Sequence, residues 1–478
     1  MSEPKKVGRR TFLNYATAIV ATGVIVGAAT YLATPKGATT TVTAPAATTT
    51  VTVPGAATTV TAPGATTTVT APGGTATGKP IPSEPIKIGI LTYFSGSNAV
   101  VDVQIWWAAQ MLAEKINSEG GILGRKIELV QMDVGPNTDT CVQNYRKLVL
   151  ENHVDLVTGD LASSNGLAVA PICEELKCPT IYLSTTTTHI FEDVDPKPKY
   201  LFRAGNYNTM EAVSCALHIK RHHPDVKRVA GINPDYAYGR DSWQMFVAAL
   251  QKLLPQVEVV YEAWPPLGTT DFTSHITATL NAKPDVVFSV LYASDIVAFM
   301  KQAVGYGFFK QVPLFYNALG YISFNMLTKD VCPEGLYFQA RDYYFLWPPA
   351  EIWPIQGWFV PEFYKRWKQY PNIDAGQLYS AIDAYKRAVE KVYALTGEYP
   401  TNEQIVEAMA GSSCVGPMGY RTIRREDHQF LSPAPIGKSK HSPDYPFVIL
   451  DELEFIQPEE CAAPPGVKSL DWIKSWKI

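Results

Sequence analysis

Apolar residues follow two alternating patterns over most of the chain. Short runs such as residues 86–91 and 154–159 are continuous, rich in β-branched residues and bounded by turn residues, as buried strands are. Between such runs, apolar residues recur every three or four positions, as at Ile105, Ala108 and Leu112, which is typical of one helix face. This alternation predicts an α/β fold in which helices cover both faces of a parallel sheet.

The alternation of strands and helices occurs twice, with a break at Arg203-Ala204-Gly205. The first series ends with a strand at 179–183, and the second restarts with a helix at 210–222 and a strand at 226–232. Two series of similar length predict two doubly wound parallel-sheet lobes.

One stretch of the first series carries a specific signature. A strand, Ser95-Gly96 and a helix are followed by Asn117-x-x-Gly120-Gly121-Ile-x-Gly-Arg125 and a second strand. This arrangement resembles the leucine/isoleucine/valine-binding proteins, the type I substrate-binding proteins of ABC transporters. The order of elements continues to match to about residue 455. The resemblance implies a type I periplasmic-binding-protein fold, with two lobes joined by a three-crossover hinge.

These observations divide the chain into segments, with a strand at 335–340 returning to the first lobe. The segments are 1–11 (cytoplasmic basic segment), 12–34 (transmembrane anchor or signal segment), 35–84 (stalk), 85–205 and 336–428 (lobe 1), 206–335 and 429–457 (lobe 2), and 458–478 (C-terminal tail). We expect the tail to dock on lobe 2.

The segment 12–34 is almost entirely apolar and follows four basic residues. As a helix it would reach about 33 Å, enough to cross a bilayer with the basic end inside. Arg9-Arg10 resembles a twin-arginine export signal, and ordinary positive-inside charge explains the pair equally well. No cysteine precedes Cys141, which excludes a lipid anchor on an N-terminal cysteine and favours a retained helix.

Threonine, alanine, proline and glycine dominate residues 35–84, and this segment contains almost no charge. Such a composition offers no large side chains to bury, so the segment is predicted to be a disordered, extended stalk.

Composition excludes several classes of function. The net charge is only −4, with no basic field that would attract nucleic acid. The seven cysteines lack zinc-ligand spacing, and disulfides and buried free thiols both remain open. His218, His222 and His223 have helical spacing but no carboxylate nearby in sequence, which favours a solvated helix face over a metal site. No catalytic motif or cofactor motif is present, so we predict a protein that is not an enzyme.

Ligands of doubly wound sheets bind beyond the carboxyl ends of the strands. The turns at these positions supply ten candidate ligand-binding residues: Phe94, Ser95, Ser163, Ser164, Ser184, Thr185, Thr186, Tyr238, Tyr292 and Asn317. Ser163 begins a helix, where its hydroxyl and the free N–H groups can bind a carboxylate, although a plain N-cap explains it equally well. The resemblance implies that Ser163 and the 184–186 turn hold a ligand α-carboxylate and that Tyr238 closes over it.

At one position the chain departs from the family pattern. Amino-acid-binding members have an acidic residue that pairs with the ligand ammonium group, and Asn317 stands there in this chain. An amide or a carboxylate therefore fits at least as well as an amino acid, unless Asp235 or Asp295 supplies the missing charge. Trp106 and Trp107 are expected to pack in the core rather than to line the site.

Together these features predict an extracytoplasmic solute-binding protein of an ABC-type importer, anchored at the cell surface by its N-terminal helix. It would capture a branched-chain amino acid, amide or carboxylate by venus-flytrap closure and deliver it to permease subunits. The alternative is a sensory ectodomain of the same fold, which would normally carry a signalling domain across the membrane.

Overall fold

A computed structural model of the protein describes residues 80–342 and 344–477, together with the backbone of three short strands nearer the N-terminus. The chain divides into two units. The first comprises Met1–Pro80 and Ala394–Glu398, and the second comprises Ile81–Tyr393 and Tyr399–Ile478.

The first unit contains a three-stranded sheet of β1 (Thr41–Thr43), β2 (Thr58–Ala62) and β3 (Ala65–Val69). β1 and β2 are parallel, and β2 and β3 are antiparallel. These stretches depart from the predicted disordered stalk, because threonine and valine are β-branched and pair well in strands. The remaining residues of the stalk up to residue 79, and the predicted membrane segment 12–34, lie outside the described residues.

Lobe 1 is built on a parallel sheet of five strands in the order β5-β4-β6-β7-β8. The strands are β4 (Ile86–Thr92), β5 (Ile127–Asp133), β6 (Leu156–Gly159), β7 (Thr180–Tyr182) and β8 (Leu201–Arg203). Its connecting helices are α1 (Ala99–Ser118), α2 (Thr138–Leu150) and α3 (Ser163–Leu176), with a π-helical turn at Ile190–Val194.

The predicted end of α1 at the paired glycines is confirmed. The N–H of Gly121 bonds to the Ile116 carbonyl at 2.8 Å, and both Gly120 and Gly121 have positive φ. A Cβ on Gly121 would lie 2.1 Å from the Arg125 carbonyl oxygen. Only glycine therefore allows the chain to turn directly from α1 into β5.

Lobe 2 is built on a seven-stranded sheet in the order β10-β9-β11-β12-β13-β17-β18. The strands are β9 (Arg228–Ile232), β10 (Glu258–Ala263), β11 (Val286–Ser289), β12 (Leu314–Asn317), β13 (Tyr337–Gln339), β17 (Ala434–His441) and β18 (Val448–Ile456). The helices are α4 (Asn208–His222), α5 (Ala237–Leu253), α6 (Thr273–Ala282), α7 (Ala293–Gly305) and α8 (Phe308–Gln311), with a 3₁₀ turn at Gly320–Met326.

The strand predicted at 335–340 belongs to lobe 2, so its assignment to lobe 1 was wrong. β13 pairs in parallel with β12, with Tyr337 opposite Tyr316. The two tyrosine rings stack with centroids 4.5 Å apart, and β17 completes the other edge of β13. Cross-strand aromatic packing of this kind holds β13 in the second sheet, so the chain returns to lobe 1 only after β13.

The segment after β13 covers lobe 1 with helices α9 (Pro354–Trp367), α10 (Ile373–Thr396) and α11 (Asn402–Met409). A small antiparallel sheet follows, formed by β14 (Ser413–Gly416), β15 (Gly419–Ile423) and β16 (Phe430–Leu431). Phe359, Leu378 and Ile423 share one buried core with Ile88 of β4. β17 and β18 then return the chain to lobe 2.

The C-terminal tail packs on lobe 2, as predicted. Its helices are α12 (Pro458–Cys461) and α13 (Ser469–Ser475). Ile473 is fully buried in the lobe 2 core, and the Thr209 hydroxyl of α4 donates to the Ser469 hydroxyl at 2.8 Å.

All seven cysteines are free and buried. Of the two possibilities left open by the sequence, disulfides and buried free thiols, the structure shows buried free thiols. Within the part of the chain that the structure describes, no helix is both long enough and apolar enough to cross a bilayer.

Candidate functional site

Three carboxylates lie together where the strands of lobe 1 end, and we call them the aspartate cluster: Asp102, Asp160 and Asp374. Asp160 directly follows β6, Asp102 lies in the first turn of α1, and Asp374 lies in the first turn of α10. One oxygen of each lies within 4.8 Å of the others. Their residues are 2%, 9% and 0% exposed for Asp102, Asp160 and Asp374. The fold thus brings three buried acids to one point.

Hydrogen bonds from neighbouring turns hold two members of the cluster in place. The Asp102 carboxylate accepts from the Thr92 hydroxyl at 2.9 Å. Asp160 accepts from the Thr185 hydroxyl at 3.0 Å and from the Ala162 N–H at 3.2 Å. Thr92, at the end of β4, therefore holds Asp102 in place, and Thr185, just after β7, holds Asp160.

Asp374 is bound on one side only. Its Oδ1 accepts from the Ser184 hydroxyl, whereas its Oδ2 is buried and has no hydrogen-bond partner among the described residues. Asn98 Oδ1 and Thr186 Oγ1 are likewise buried without a partner there. Buried polar atoms without partners are costly, so these three are candidates for contact with a bound molecule.

Burial and mutual repulsion make the cluster reluctant to carry its full negative charge. Burial raises the pKa of all three carboxyl groups, and the neighbouring Asp160 raises those of Asp102 and Asp374 further. The pKa of Asp374 reaches about 7. Near neutral pH the cluster therefore favours either a proton or a positively charged group between its oxygens.

A buried ion pair lies beside the cluster. Arg341 bonds through Nε to Glu211, and its Nη1 donates to the Ser184 carbonyl at 3.1 Å. Although burial opposes its charge, Glu211 raises the pKa of Arg341 above its ordinary value. The Tyr238 hydroxyl donates to the second oxygen of Glu211 at 2.7 Å. Arg341 thus bonds to Glu211 and to backbone, and its charge also lowers the pKa of Asp160 and of Asp374, which offsets part of the rise caused by burial.

The two lobes touch next to the cluster. Asn98, at the start of α1 in lobe 1, donates from Nδ2 to the Tyr292 hydroxyl of lobe 2 at 3.2 Å. The Tyr236 hydroxyl lies 3.1 Å from the Tyr292 hydroxyl, and the Thr187 hydroxyl of lobe 1 donates to Asp241 of lobe 2. These contacts describe a closed arrangement of the lobes.

A sequence profile described as periplasmic binding protein matches residues 85–443, which is well over half of the chain. The chain belongs to the periplasmic binding protein family. The resemblance noted from residues 95–125 is therefore confirmed, and it extends through both lobes of this binding protein.

Curated relatives of this binding protein include Leu/Ile/Val-binding protein homolog 7 of Brucella abortus (strain 2308). It is 27% identical over 229 residues, which cover 46% of this chain and 56% of that protein. An amino acid binding protein of Pseudomonas aeruginosa is 28% identical over 203 residues, covering 42% of this chain and 53% of that protein. The chain thus spans little more than half the length of the curated relatives it matches.

Solved structures share the fold of this binding protein. A solute-binding protein of an ABC transporter from Rhodopseudomonas palustris BisB5, in complex with 3,4-dihydroxybenzoic acid, has a TM-score of 0.68 and 22% identity, covering 79% of this chain and 98% of that one. The substrate-binding protein LivJ from Streptococcus pneumoniae, in complex with isoleucine, has a TM-score of 0.64 and 18% identity, covering 78% and 100%. At these identities the likeness shows the fold alone.

Five of the predicted site residues lie at or beside the cluster in this binding protein. Ser184 and Thr185 bond to members of the cluster, and Thr186 is buried next to them in sequence. Tyr238 reaches the neighbouring Glu211, and Tyr292 makes the contact between lobes.

Ser163 connects the start of α3 to the turn at 184–187. Its hydroxyl accepts from the Thr187 N–H at 3.3 Å, which ties the start of α3 to the 184–187 turn. The N-cap position of α3 belongs to Ala162, so Ser163 is not a helix N-cap. A role of Ser163 in ligand binding stays a prediction.

Other predicted residues face elsewhere. Ser95 and Ser164 are exposed, and the Phe94 ring packs edge-on against Trp106 at 6.1 Å. Asn317 is fully buried; its Oδ1 accepts from the Leu319 N–H at 2.9 Å, and its Nδ2 donates to the Leu291 carbonyl at 3.0 Å. These positions are therefore poorly placed for ligand contact in the closed arrangement.

Neither acid considered as a substitute for the missing charge joins the cluster. Asp235 pairs with Arg240 at 2.6 Å on the exposed surface. Asp295 accepts from the Gly268 N–H at 2.9 Å within lobe 2. The negative charge of the cluster comes instead from Asp102, Asp160 and Asp374 of lobe 1, which were not predicted from the sequence.

A signal for the missed residues was present in the sequence. Asp102 interrupts the apolar stretch 99–107, Asp160 ends the strand at 154–159, and Arg341 directly follows the strand at 335–340. Charged residues at such positions are rarely buried unless they are paired or functional. Their convergence on one point, however, depends on the tertiary fold.

Proposed function

We propose that this protein is the solute-binding component of an ABC-type importer and works outside the cytoplasm. Family membership supports the fold and the binding role, and the contacts between Asn98 and Tyr292 support closure of the lobes over a ligand. In this account, closure creates the shape that a permease recognises, so that binding energy serves as a signal and not as catalysis. Fractionation of cells, with and without residues 12–34, tests the predicted surface anchor.

For the ligand, we propose a small organic solute that carries an ammonium group. The observation that carries this proposal is the aspartate cluster: three buried carboxylates, of which Asp374 has no partner for Oδ2 among residues 80–342 and 344–477. The two buried ion pairs nearby, Glu211 with Arg341 and Asp342 with Arg421, include none of the three. An ammonium group donates three hydrogen bonds and offsets the repulsion among the acids.

The position of these carboxylates then explains why the chain can have Asn317 where an acid would be expected. The acid that amino-acid-binding relatives place in lobe 2 is replaced here by carboxylates of lobe 1, so the ligand can keep its ammonium group. A branched-chain amino acid is therefore favoured over an amide or a simple carboxylate within the predicted ligand class. The Thr186 hydroxyl, which is buried and has no hydrogen-bond partner within the described part of the chain, is a candidate for the carboxylate end of such a ligand.

A thermal-shift series tests this assignment with three compounds of nearly equal shape. Leucine carries both charges, 3-methylbutylamine lacks the carboxylate, and 4-methylpentanoate lacks the ammonium group. We expect leucine to stabilise most, the amine detectably, and the acid least. A wider set of amines extends the test to ligands of other sizes.

An aromatic carboxylate is the second candidate. Tyr236, Tyr238 and Tyr292 form an aromatic group in lobe 2, with adjacent ring centroids 6.1 and 6.4 Å apart. Protonated aspartates would donate hydrogen bonds to such a ligand, and a structural neighbour binds 3,4-dihydroxybenzoic acid. Stabilisation by 4-hydroxybenzoate, without any response to amines, would favour this candidate over the first.

A further inference from the structure

A second group of ligating side chains lies in lobe 2, on residues separate from the aspartate cluster. It consists of His218 and His222 of α4 and Glu454 of β18, with one donor atom of each within 4.8 Å of the others. A carboxylate joins these histidines in space although none is near them in sequence, so the expectation of a plain solvated helix face was wrong. The fold brings Glu454 to them from 232 residues further along the chain.

The geometry of the group is compact. His218 and His222 are four residues apart and share one face of α4, with ring centroids 4.4 Å apart. Glu454 Oε2 lies 2.6 Å from His222 Nε2 and 3.9 Å from His218 Nε2. Three donor atoms, two nitrogens and one oxygen, therefore lie close enough together to share one ion.

Neighbouring residues orient two of the three donors. The Tyr316 hydroxyl lies 2.8 Å from His218 Nδ1, which directs the other ring nitrogen, Nε2, toward Glu454. Arg221 donates from Nη1 to Glu454 Oε1 at 2.5 Å, which leaves Oε2 for the histidines. Such outer contacts to a ring nitrogen and to a carboxylate are characteristic of metal sites.

We propose that His218, His222 and Glu454 form a zinc-binding site. Two histidines and one glutamate are a known ligand set for Zn²⁺ with a fourth position open to water. Ligands on a tetrahedral zinc ion lie about 3.3 Å apart at bond lengths of 2.0–2.2 Å. The side chain of His222 is about half exposed and can turn the short distance required, and its exposure gives the ion a route of entry.

Zinc at this position would join α4 to β18, the strand at the edge of the lobe 2 sheet. The ion would therefore add a cross-link between a helix near the start of lobe 2 and the last strand of the chain. This site does not depend on the proposed solute-binding function.

Isothermal titration of the chelator-treated full-length protein with zinc chloride tests the site. We expect one Zn²⁺ per chain, and a weakening of at least about 10-fold in His222→Ala and in Glu454→Gln. Both side chains are partly exposed, so these variants should fold. Tyr316→Phe removes the orienting contact and should weaken binding by about 10-fold while keeping all three ligands.

His223→Ala is the matched control, because His223 is adjacent on the chain and its Nε2 contacts the Tyr337 hydroxyl at 3.1 Å instead of Glu454. This variant should bind zinc as the natural chain does. Substitution of Co²⁺ should give visible absorption bands typical of four- or five-coordination. Absence of a single tight site in the natural chain, or equal binding by His222→Ala and Glu454→Gln, would overturn the proposal.

Discussion

The side-chain amide of Asn98 in lobe 1 donates a hydrogen bond to the hydroxyl of Tyr292 in lobe 2, with 3.2 Å between nitrogen and oxygen. The same hydroxyl lies 3.1 Å from that of Tyr236. One oxygen atom therefore serves a contact between lobes and a contact within lobe 2. Because this contact joins the two lobes, separation of the lobes would break it, and we expect it to contribute to ligand affinity through the closed state.

Tyr292→Phe should weaken ligand binding by about 5- to 10-fold, since it removes a net hydrogen-bond contribution of about 1 kcal/mol. Titration calorimetry with the best ligand measures the effect, and Tyr420→Phe, on an exposed side chain, is the control. An unchanged affinity would show that this contact does not contribute to closure.

Asp374→Asn should have opposite effects on stability and on binding. The substitution removes a buried charge from a group of three acids, so the free energy of unfolding of the ligand-free protein should rise. Affinity for an amine should fall by about 100-fold, because one acceptor of the ammonium group loses its charge. Urea unfolding and calorimetry measure the two effects on the same samples.

The exposed Asp225→Asn is the control for this substitution and should change neither quantity. A loss of stability in Asp374→Asn, with amine affinity unchanged, would contradict the assignment of the cluster as the ligand site.

The stability of the ligand-free, closed protein should decrease as pH rises from about 4 to about 7. The pKa of Asp374 is about 7 in the folded protein and 3.8 in its ordinary state, so the folded state binds more protons in this window. Unfolding then releases protons, and the free energy of unfolding falls with increasing pH, by on the order of a few kcal/mol.

Urea unfolding at intervals across this pH range measures the slope, and Asp374→Asn should flatten it. Over the same range the affinity for an amine should increase, with proton release on binding, because the ammonium group replaces the proton. A slope of the opposite sign in the natural chain would show that Asp374 is ionised and stabilised without a ligand.

Arg341→Met should destabilise the protein by about 3–5 kcal/mol, since it leaves Glu211 buried without its cation. Adding Glu211→Gln should recover part of this loss, because the remaining buried charge is then removed as well. Urea unfolding of the single and double variants gives the coupling energy. Lys440→Ala, which breaks the exposed pair with Asp451, should cost less than about 1 kcal/mol.

Local patterns in the sequence were sufficient for the fold class and for several element ends. The apolar period of α1 and the paired glycines after it depend on neighbouring residues only, as does the start of α3 at Ser163. The sheet to which β13 belongs could not be predicted from local sequence patterns. Whether a strand joins one sheet or another is decided by its partners, here the stacked Tyr316 and Tyr337.

The grouping of the charged residues at the site could not be predicted from local sequence patterns either. Ser184 and Asp374 are 190 residues apart, and His222 and Glu454 are 232 residues apart. Each acid alone resembles a helix-start or strand-edge residue, and only the tertiary fold shows that three acids share one buried position. The sequence therefore indicated the turn at 184–186 beside the cluster, whereas it did not indicate the source of the negative charge.

The central claim is that the aspartate cluster binds the ammonium group of a solute. Titration calorimetry at pH 8 tests it most directly, with the tightest ligand of the screen and its analogue in which hydrogen replaces the ammonium group. We predict that the ammonium-bearing compound binds at least about 100-fold more tightly than its analogue. Equal or tighter binding of the analogue would contradict the account.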